Sequence, residues 1–63
     1  MQEHANTRFL TVTEVAATLR VSNMTVYRLI NTGSLAAVRI GKSFRIGEDD
    51  LNRYLTQQYT KAG

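Results

Sequence analysis

The sequence of this protein predicts a mainly α-helical domain that carries a small β-hairpin. Apolar residues recur with the helical period of about 3.6 in two short segments of the first half and again near the carboxyl end. Between residues 38 and 46 they instead alternate with polar residues, which is the period of a strand. The expected order is therefore helix, turn, helix, two-stranded hairpin and helix, in one domain of 63 residues.

The first helix is predicted by a capping box. Thr11 is followed three residues later by Glu14, directly before an apolar-periodic segment. We expect a helix from about Val12 to Leu19, followed by the connection Arg20-Val21-Ser22, in which Val21 plugs the core. The residues expected on the buried face of this helix are Val12, Val15, Ala16 and Leu19.

The second helix begins after Ser22, whose hydroxyl can accept a hydrogen bond from a free amide of the first turn. It is expected to continue to about Thr32 and to stop at Gly33, a residue suited to the left-handed conformation after a helix end. Its buried face is predicted to hold Val26, Leu29 and Ile30. Its outward residues are Met24, Arg28 and Asn31, with Thr25 and Tyr27 on the flanks.

The register of the hairpin is predicted from the alternation of faces along each strand, since every second residue lies on the same face. If Val38, Ile40, Phe44 and Ile46 share the buried face, Ile40 lies opposite Phe44 and the loop is Gly41-Lys42-Ser43. Arg39 then lies directly across from Arg45. Like charges in that position are destabilising by a few tenths of a kcal/mol to about 1. Two interpretations stay open: a bound anion such as a phosphate bridges the pair, or both side chains extend into water.

The last helix is expected to start near Gly47 or Glu48. Three acidic residues, Glu48, Asp49 and Asp50, then occupy the first turn, where negative charge complements the helix macrodipole. We interpret this cluster as capping, because consecutive residues on one exposed turn do not converge on a pocket. The apolar stripe of the helix is predicted to be Leu51, Tyr54, Leu55 and Tyr59.

Composition limits the sites that such a chain can hold. Eight Lys and Arg against five Asp and Glu give a net charge of +3; there is no Cys, and His4 is the single histidine. Neither a disulfide framework nor a metal centre is therefore expected. No apolar run reaches the roughly 20 residues of a membrane span, and Met1–Thr7 lacks the apolar segment of a secretory signal. We expect a cytoplasmic domain without cofactor or metal.

The basic residues concentrate in the middle of the chain. Residues 15–47 contain no acidic side chain and carry +5, whereas the remaining segments together carry −2. This distribution indicates either a solvated basic surface or a phosphate-facing surface on which the basic side chains converge. The basic residues of the middle segment are Arg20, Arg28, Arg39, Lys42 and Arg45.

Several segments carry a resemblance to a known family: Leu10–Ala16, Val21-Ser22, Thr25–Ile30, Gly33–Leu35, Ala37–Ile46, Asp50-Leu51 and Tyr54-Leu55. In their order they resemble the excisionase-type, MerR-like winged helix-turn-helix domains of bacteria and their phages. The resemblance covers roughly residues 9 to 56. We accordingly divide the chain into a flexible polar arm of residues 1–8, a winged helix-turn-helix domain of residues 9–59 and a tail of residues 60–63.

The resemblance implies that the second helix enters the major groove of double-stranded DNA while the hairpin acts as a wing on the backbone. The recognition-helix candidates are Ser22, Asn23, Met24, Thr25, Tyr27 and Arg28. The wing candidates are Arg39, Lys42, Ser43 and Arg45, and Arg20 is a further phosphate contact. The resemblance to the small excisionase-like members also implies that several copies of the protein bind side by side on repeated DNA sites. The coiled-coil helix and effector domain of full-length MerR-type regulators have no counterpart, so no small-molecule effector is expected.

Three functional hypotheses remain at this point. The first is sequence-specific DNA binding as a small transcription regulator, and the second is an excisionase-like recombination factor that uses the same contacts. The third, from another class, is a basic protein-interaction module such as an antitoxin-like adaptor. An enzyme is not expected, because no nucleophile–base pair, metal-ligand set or phosphate loop can be assembled from these residues.

Overall fold

The computed structural model describes residues 8–62, with side chains described as far as residue 58. The elements are β1 (Phe9–Thr11), α1 (Val12–Leu19), α2 (Asn23–Asn31), β2 (Val38–Ile40), β3 (Ser43–Gly47) and α3 (Glu48–Ala62). The predicted winged helix-turn-helix fold class is confirmed. The helical backbone of α3 continues through residues 60–62, which the sequence assigned to a tail. Residues 1–7 of the predicted arm and the side chain of Tyr59 lie outside the described residues.

The predicted capping box starts α1. The amide of Glu14 donates to Thr11 Oγ1 over 3.0 Å, and the amide of Thr11 donates to Glu14 Oε1 over 2.9 Å. Each side chain satisfies a backbone donor that the helix itself leaves free. The helix buries Val12, Val15 and Ala16, while Leu19 packs half-buried beside them, as predicted.

The turn after α1 is closed by backbone geometry and not by a buried side chain. Arg20 adopts the left-handed conformation with φ 62°, and the amide of Val21 donates to Ala16 O over 2.9 Å. Val21 is 39% exposed, so the prediction that it plugs the core is wrong. The core instead contains Val15 of α1 and Val26 of α2, both without exposed surface, and the turn holds Val21 outside it.

The left-handed conformation at Arg20 gives a testable effect on stability. A side chain in this region places Cβ against the following carbonyl oxygen, which costs roughly 1–2 kcal/mol and which glycine avoids. We therefore expect Arg20→Gly to have a free energy of unfolding up to about 1 kcal/mol above that of Arg20→Ala. Both variants remove the guanidinium equally, so urea denaturation of the pair isolates the backbone effect. Identical midpoints would mean that this turn is unstrained.

Helix α2 begins and ends as predicted. Ser22 Oγ accepts from the amide of Thr25 over 3.2 Å. Beyond the cap residue Thr32, Gly33 has φ 82°, and the amide of Ser34 donates to Leu29 O over 2.9 Å. Such a glycine ends a helix without steric cost. The predicted buried face is also confirmed, with Val26 fully buried and two half-buried neighbours, Leu29 and Ile30.

The sheet has three antiparallel strands in the order β1-β3-β2, and its hairpin differs from the prediction by one residue. Arg39 lies opposite Phe44, and Ile40 lies opposite Ser43, so the loop is Gly41-Lys42 alone. Gly41 has φ 63°, which suits the first central position of a tight two-residue hairpin turn. The predicted register, and with it the Arg39–Arg45 pair that an anion would bridge, is wrong.

The register error has a physical cause in the position of β2. The prediction required every apolar residue of the hairpin to be buried, but Val38 is 47% and Ile40 54% exposed. The central strand β3 packs against both α1 and α3, whereas β2 lies at the edge of the sheet. Burial therefore constrains Phe44 and Ile46 of β3 and leaves the side chains of β2 to follow the turn.

The core joins all three helices to the inner face of the sheet. Leu51 of α3 is buried, and Tyr54 and Leu55 pack half-buried against the core, as predicted. Leu35, in the connection after α2, is 1% exposed and was not predicted. The strand β1 was not predicted either; its Leu10 pairs with Ile46. Among the described residues, no helix is long and apolar enough to cross a bilayer.

Candidate nucleic-acid interface

The outer face of α2 presents a mixed apolar and basic surface. Met24 is 70% exposed, and Tyr27 and Arg28 are also exposed. Within the part of the chain that the structure describes, the Arg28 guanidinium has neither a hydrogen bond nor an ion pair. An outward arginine in the middle of a helix has the five donors and the reach that a guanine edge or a phosphate requires.

The amino-terminal turn of α2 is organised by its own polar side chains. Ser22 Oγ and Thr25 Oγ1 lie 3.1 Å apart in a hydrogen bond, in addition to the cap that Ser22 forms. Asn23 Nδ2 donates to Thr13 Oγ1 over 3.2 Å, which ties the start of α2 to α1. These three predicted contact residues therefore have structural partners. Each retains hydrogen-bonding capacity for a ligand, since a hydroxyl has two lone pairs and the amide has two donors and an acceptor.

The basic residues of the hairpin divide between its two faces and its tip. Directly opposite residues of an antiparallel pair share a face, so Arg39 lies on the inner face with Phe44. Arg45 and Ser43 lie on the outer face, where Arg45 Nη1 donates to Phe44 O over 3.0 Å. Lys42 is exposed at the tip. The four predicted wing residues are thus not one cluster.

An aromatic contact connects α2 to the inner face of the hairpin. The ring centroids of Tyr27 and Phe44 lie 6.1 Å apart at an interplanar angle of 62°, an edge-to-face arrangement. The Arg39 guanidinium lies 5.9 Å from the centroid of Phe44, and its Nε donates to Gly41 O over 3.4 Å. Sequence reasoning missed this contact because it depends on the hairpin register. The signal that could have revealed it is the glycine at the start of a two-residue loop.

The remaining charges separate into paired and unpaired groups. Arg53 of α3 forms an ion pair with Asp50 over 3.0 Å. By contrast, no acidic partner lies within ion-pair distance of the middle-segment cations among the described residues. These unpaired cations are Arg20, Arg28, Arg39, Lys42 and Arg45.

The backbone of Arg8 joins the start of β1 to α3, since its carbonyl oxygen accepts a hydrogen bond from the amide of Glu48 over 2.8 Å.

A shallow cleft lies between the connection after α2 and helix α3. Its volume is about 190 Å³, and its lining includes Gly33, Ser34, the Asp50–Arg53 pair and Tyr54. Small-molecule sites are generally clefts of roughly 300–1,000 Å³ with a largely apolar lining. The unpaired cations lie elsewhere, on the surface of α2, the interhelical turn and the hairpin, where an extended polyanion can reach them.

Comparison with known proteins agrees with this architecture. Residues 9–59 match the family described as "Helix-turn-helix domain". Two Mycobacterium tuberculosis sequences, "Putative DNA-binding protein Rv0500A" and "Putative DNA-binding protein MT0521", are each 51% identical over 61 residues, covering 97% of this chain and 78% of theirs. The "Uncharacterized protein YvgK" of Bacillus subtilis is 50% identical over 46 residues, covering 73% of this chain and 15% of its own. No solved structure matches the chain significantly.

Proposed function

Because the chain belongs to the excisionase-type helix-turn-helix family, we propose that it binds double-stranded DNA with sequence preference and acts as a small transcription regulator. Helix α2 lies in the major groove and the β2–β3 hairpin, the wing, lies along the backbone. The names of the two mycobacterial relatives support DNA as the ligand. The observation that carries the proposal is that the five cations on the interhelical turn, α2 and the wing have no acidic partner among the described residues.

The dimensions of α2 suit the proposed groove. Its nine residues span about 14 Å at a rise of 1.5 Å per residue. A helix with side chains is about 10–12 Å across, and the major groove is about 12 Å wide. In this position Arg28 and Met24 face base edges, with Met24 suited to a thymine methyl group. Ser22, Asn23 and Thr25 approach the backbone near the positive end of the helix dipole, and Tyr27 presents its hydroxyl to a phosphate.

The wing and the turn extend the contact with the backbone. Arg20 in the interhelical turn supplies one cation, and Arg39, Lys42, Ser43 and Arg45 supply the polar groups of the wing. Because phosphate contacts give affinity and register but no sequence information, these residues hold the protein on DNA while α2 reads the bases. The recognition helix alone covers a short site. Copies side by side on repeated sites would lengthen it.

A second candidate role follows from the excisionase-type character of the family. In that role the same helix and wing bind an array of sites and shape the DNA for recombination. Footprinting on selected genomic fragments, combined with a gel-mobility assay of DNA bending, distinguishes the two roles, because a regulator protects sites at promoters whereas an architectural factor bends the duplex at its sites.

Replacement of Arg28 tests base readout. Duplexes are first selected from a random pool with the parent protein, and affinities are then measured for the selected and a scrambled duplex. We expect Arg28→Ala to weaken binding to the selected duplex by about 5- to 150-fold, corresponding to roughly 1–3 kcal/mol. The ratio of the affinities for the selected and the scrambled duplex should decrease. Arg53→Ala, which removes a cation already paired with Asp50 on α3, is the matched control and should bind like the parent.

The outcome of this comparison separates a base contact from a phosphate contact. An equal loss on both duplexes would assign Arg28 to the backbone and leave sequence preference to another residue. Parent-like binding of both duplexes would remove Arg28 from the interface altogether.

A further inference from the structure

The contact between α2 and the wing brings together one side chain from each of three elements. Tyr27 of α2 meets Phe44 of β3 edge to face at 6.1 Å between centroids. Arg39 of β2 lies over the same Phe44 ring at 5.9 Å from its centroid. A guanidinium over an aromatic face is attracted by the negative charge of the ring face. Phe44 therefore contacts both the recognition helix and a wing cation.

A hydrogen bond also restrains the same arginine. Arg39 Nε donates to Gly41 O over 3.4 Å, so the guanidinium is held by the ring and by the hairpin turn. A free arginine loses rotamer freedom when it binds a phosphate or a base edge. An arginine that is already held loses less, and preorganisation of this kind raises affinity without any new contact.

The neighbouring wing arginine is oriented differently. Arg45 follows Phe44 in β3, so its side chain projects from the opposite face of the sheet, and its Nη1 donates to Phe44 O over 3.0 Å. It lies in line with Thr11 of β1 and Val38 of β2. The face that carries Arg45 is therefore the face turned away from Tyr27, and the two arginines cannot reach the same phosphate in the same way.

We propose that Phe44 is a positioning residue that packs against Tyr27 of α2 and holds Arg39 toward the DNA segment that α2 contacts. Arg39 is then the wing arginine whose phosphate contact depends on the Phe44 ring, whereas Arg45 makes its phosphate contact independently of that ring. This inference rests on the proposed function. Phe44 therefore has a role in DNA binding in addition to its packing against the core.

A double-mutant cycle on DNA binding tests the assignment. Phe44→Leu, Arg39→Gln and the double variant are titrated with the selected and the scrambled duplex. We expect roughly a tenfold loss on the selected duplex for Arg39→Gln and a somewhat smaller loss for Phe44→Leu. The double variant should lose no more than Arg39→Gln alone, because Phe44 acts through that arginine. Phe44→Tyr keeps the ring and should retain parent affinity.

As a control, the same double-mutant cycle is repeated with Arg45→Gln in place of Arg39→Gln. Losses from Phe44→Leu and Arg45→Gln should multiply in the double variant, and Arg45→Gln should weaken binding to both duplexes alike. The salt dependence adds a readout that a loosened fold would not change. Phe44→Leu and Arg39→Gln should each reduce the slope of log K against log[salt] by about 0.9, the value for one phosphate contact.

Thermal unfolding of every variant reports whether it is folded. If Phe44→Leu is unfolded, Tyr27→Leu removes the other, exposed ring of the contact. It is compared with Tyr27→Phe, which lacks the hydroxyl but keeps the ring, and the loss caused by removing the ring should show the same coupling to Arg39→Gln. Multiplicative losses for Phe44 or Tyr27 with Arg39 would overturn this inference while leaving DNA binding intact. Absence of duplex binding by the parent would instead overturn the proposed function and this inference together.

Discussion

Leu35→Ala is expected to leave most of the protein unfolded. Leu35 is 1% exposed and is among the four largest fully buried side chains, together with Ile46, Val15 and Val26. Truncation of a buried leucine costs about 2–5 kcal/mol, the lost transfer free energy plus that of the cavity. A domain of this size has roughly 3–5 kcal/mol in total. Far-UV circular dichroism during urea denaturation measures the effect.

The position of Leu35 explains why the loss of stability should lie near the upper end of the range of about 2–5 kcal/mol. Its amide donates to Leu29 O over 3.1 Å, so the connection after α2 is fixed by the backbone and cannot easily move to fill a cavity. Leu29→Ala and Leu55→Ala remove half-buried side chains and should cost less, near the lower end of the same range. Met24→Ala, at a highly exposed position of α2, is the control and should change stability by less than about 0.5 kcal/mol. A Leu35→Ala variant with the parent's unfolding midpoint would contradict this account of the core.

Features that depend on a few neighbouring residues were predictable from the sequence. The caps of α1 and α2 involve donors and acceptors three residues apart, so Thr11, Glu14 and Ser22 identify both helix starts. Gly33 identifies the end of α2 for the same reason, because the left-handed position is local to the chain. The exposed face of α2 follows from helical periodicity, and it already contained Arg28 and Met24.

Features that depend on distant partners were not predictable in this way. The strand β1 has three residues and is defined by pairing with β3, whose residues lie far along the chain, so it leaves no periodic pattern of its own. Leu35 is the single large apolar residue of the connection between α2 and β2, so it belongs to no periodic pattern. The hairpin register is set by the turn at Gly41 and by the edge position of β2. The prediction assumed that the apolar residues of both strands are buried on one face, and those of β2 are exposed.

The same division applies to the interface. Arg20, Arg28 and Lys42 were identified from charge and expected exposure, both of which the structure agrees with. The arrangement of Arg39 relative to Tyr27 and Arg45 follows from the hairpin register and therefore could not be predicted from the sequence. A one-residue change in the hairpin transfers a cation from one face of the wing to the other, and this difference separates the two predicted wing arginines.

The affinity of the protein for duplex DNA is expected to fall steeply with salt. Five cations of the turn, α2 and the wing have no acidic partner among the described residues, which is consistent with about four to six phosphate contacts. At about 0.9 per phosphate, log K should decrease with log[salt] at a slope near −4 to −5. Raising the salt from about 50 to about 200 mM then weakens binding by a few hundred- to about a thousandfold. Fluorescence anisotropy of a labelled duplex at several salt concentrations gives the slope directly.

Single substitutions assign this slope to residues. Lys42→Ala and Arg20→Ala should each reduce its magnitude by about 0.9, since each removes one cation from the surface. Arg53→Ala should leave the slope unchanged, because the charge of Arg53 is paired with Asp50 on α3. A slope near zero for the parent would contradict DNA binding by this surface and would favour the protein-interaction hypothesis. A steep slope that none of these cations reduces would place the phosphate contacts on another part of the molecule.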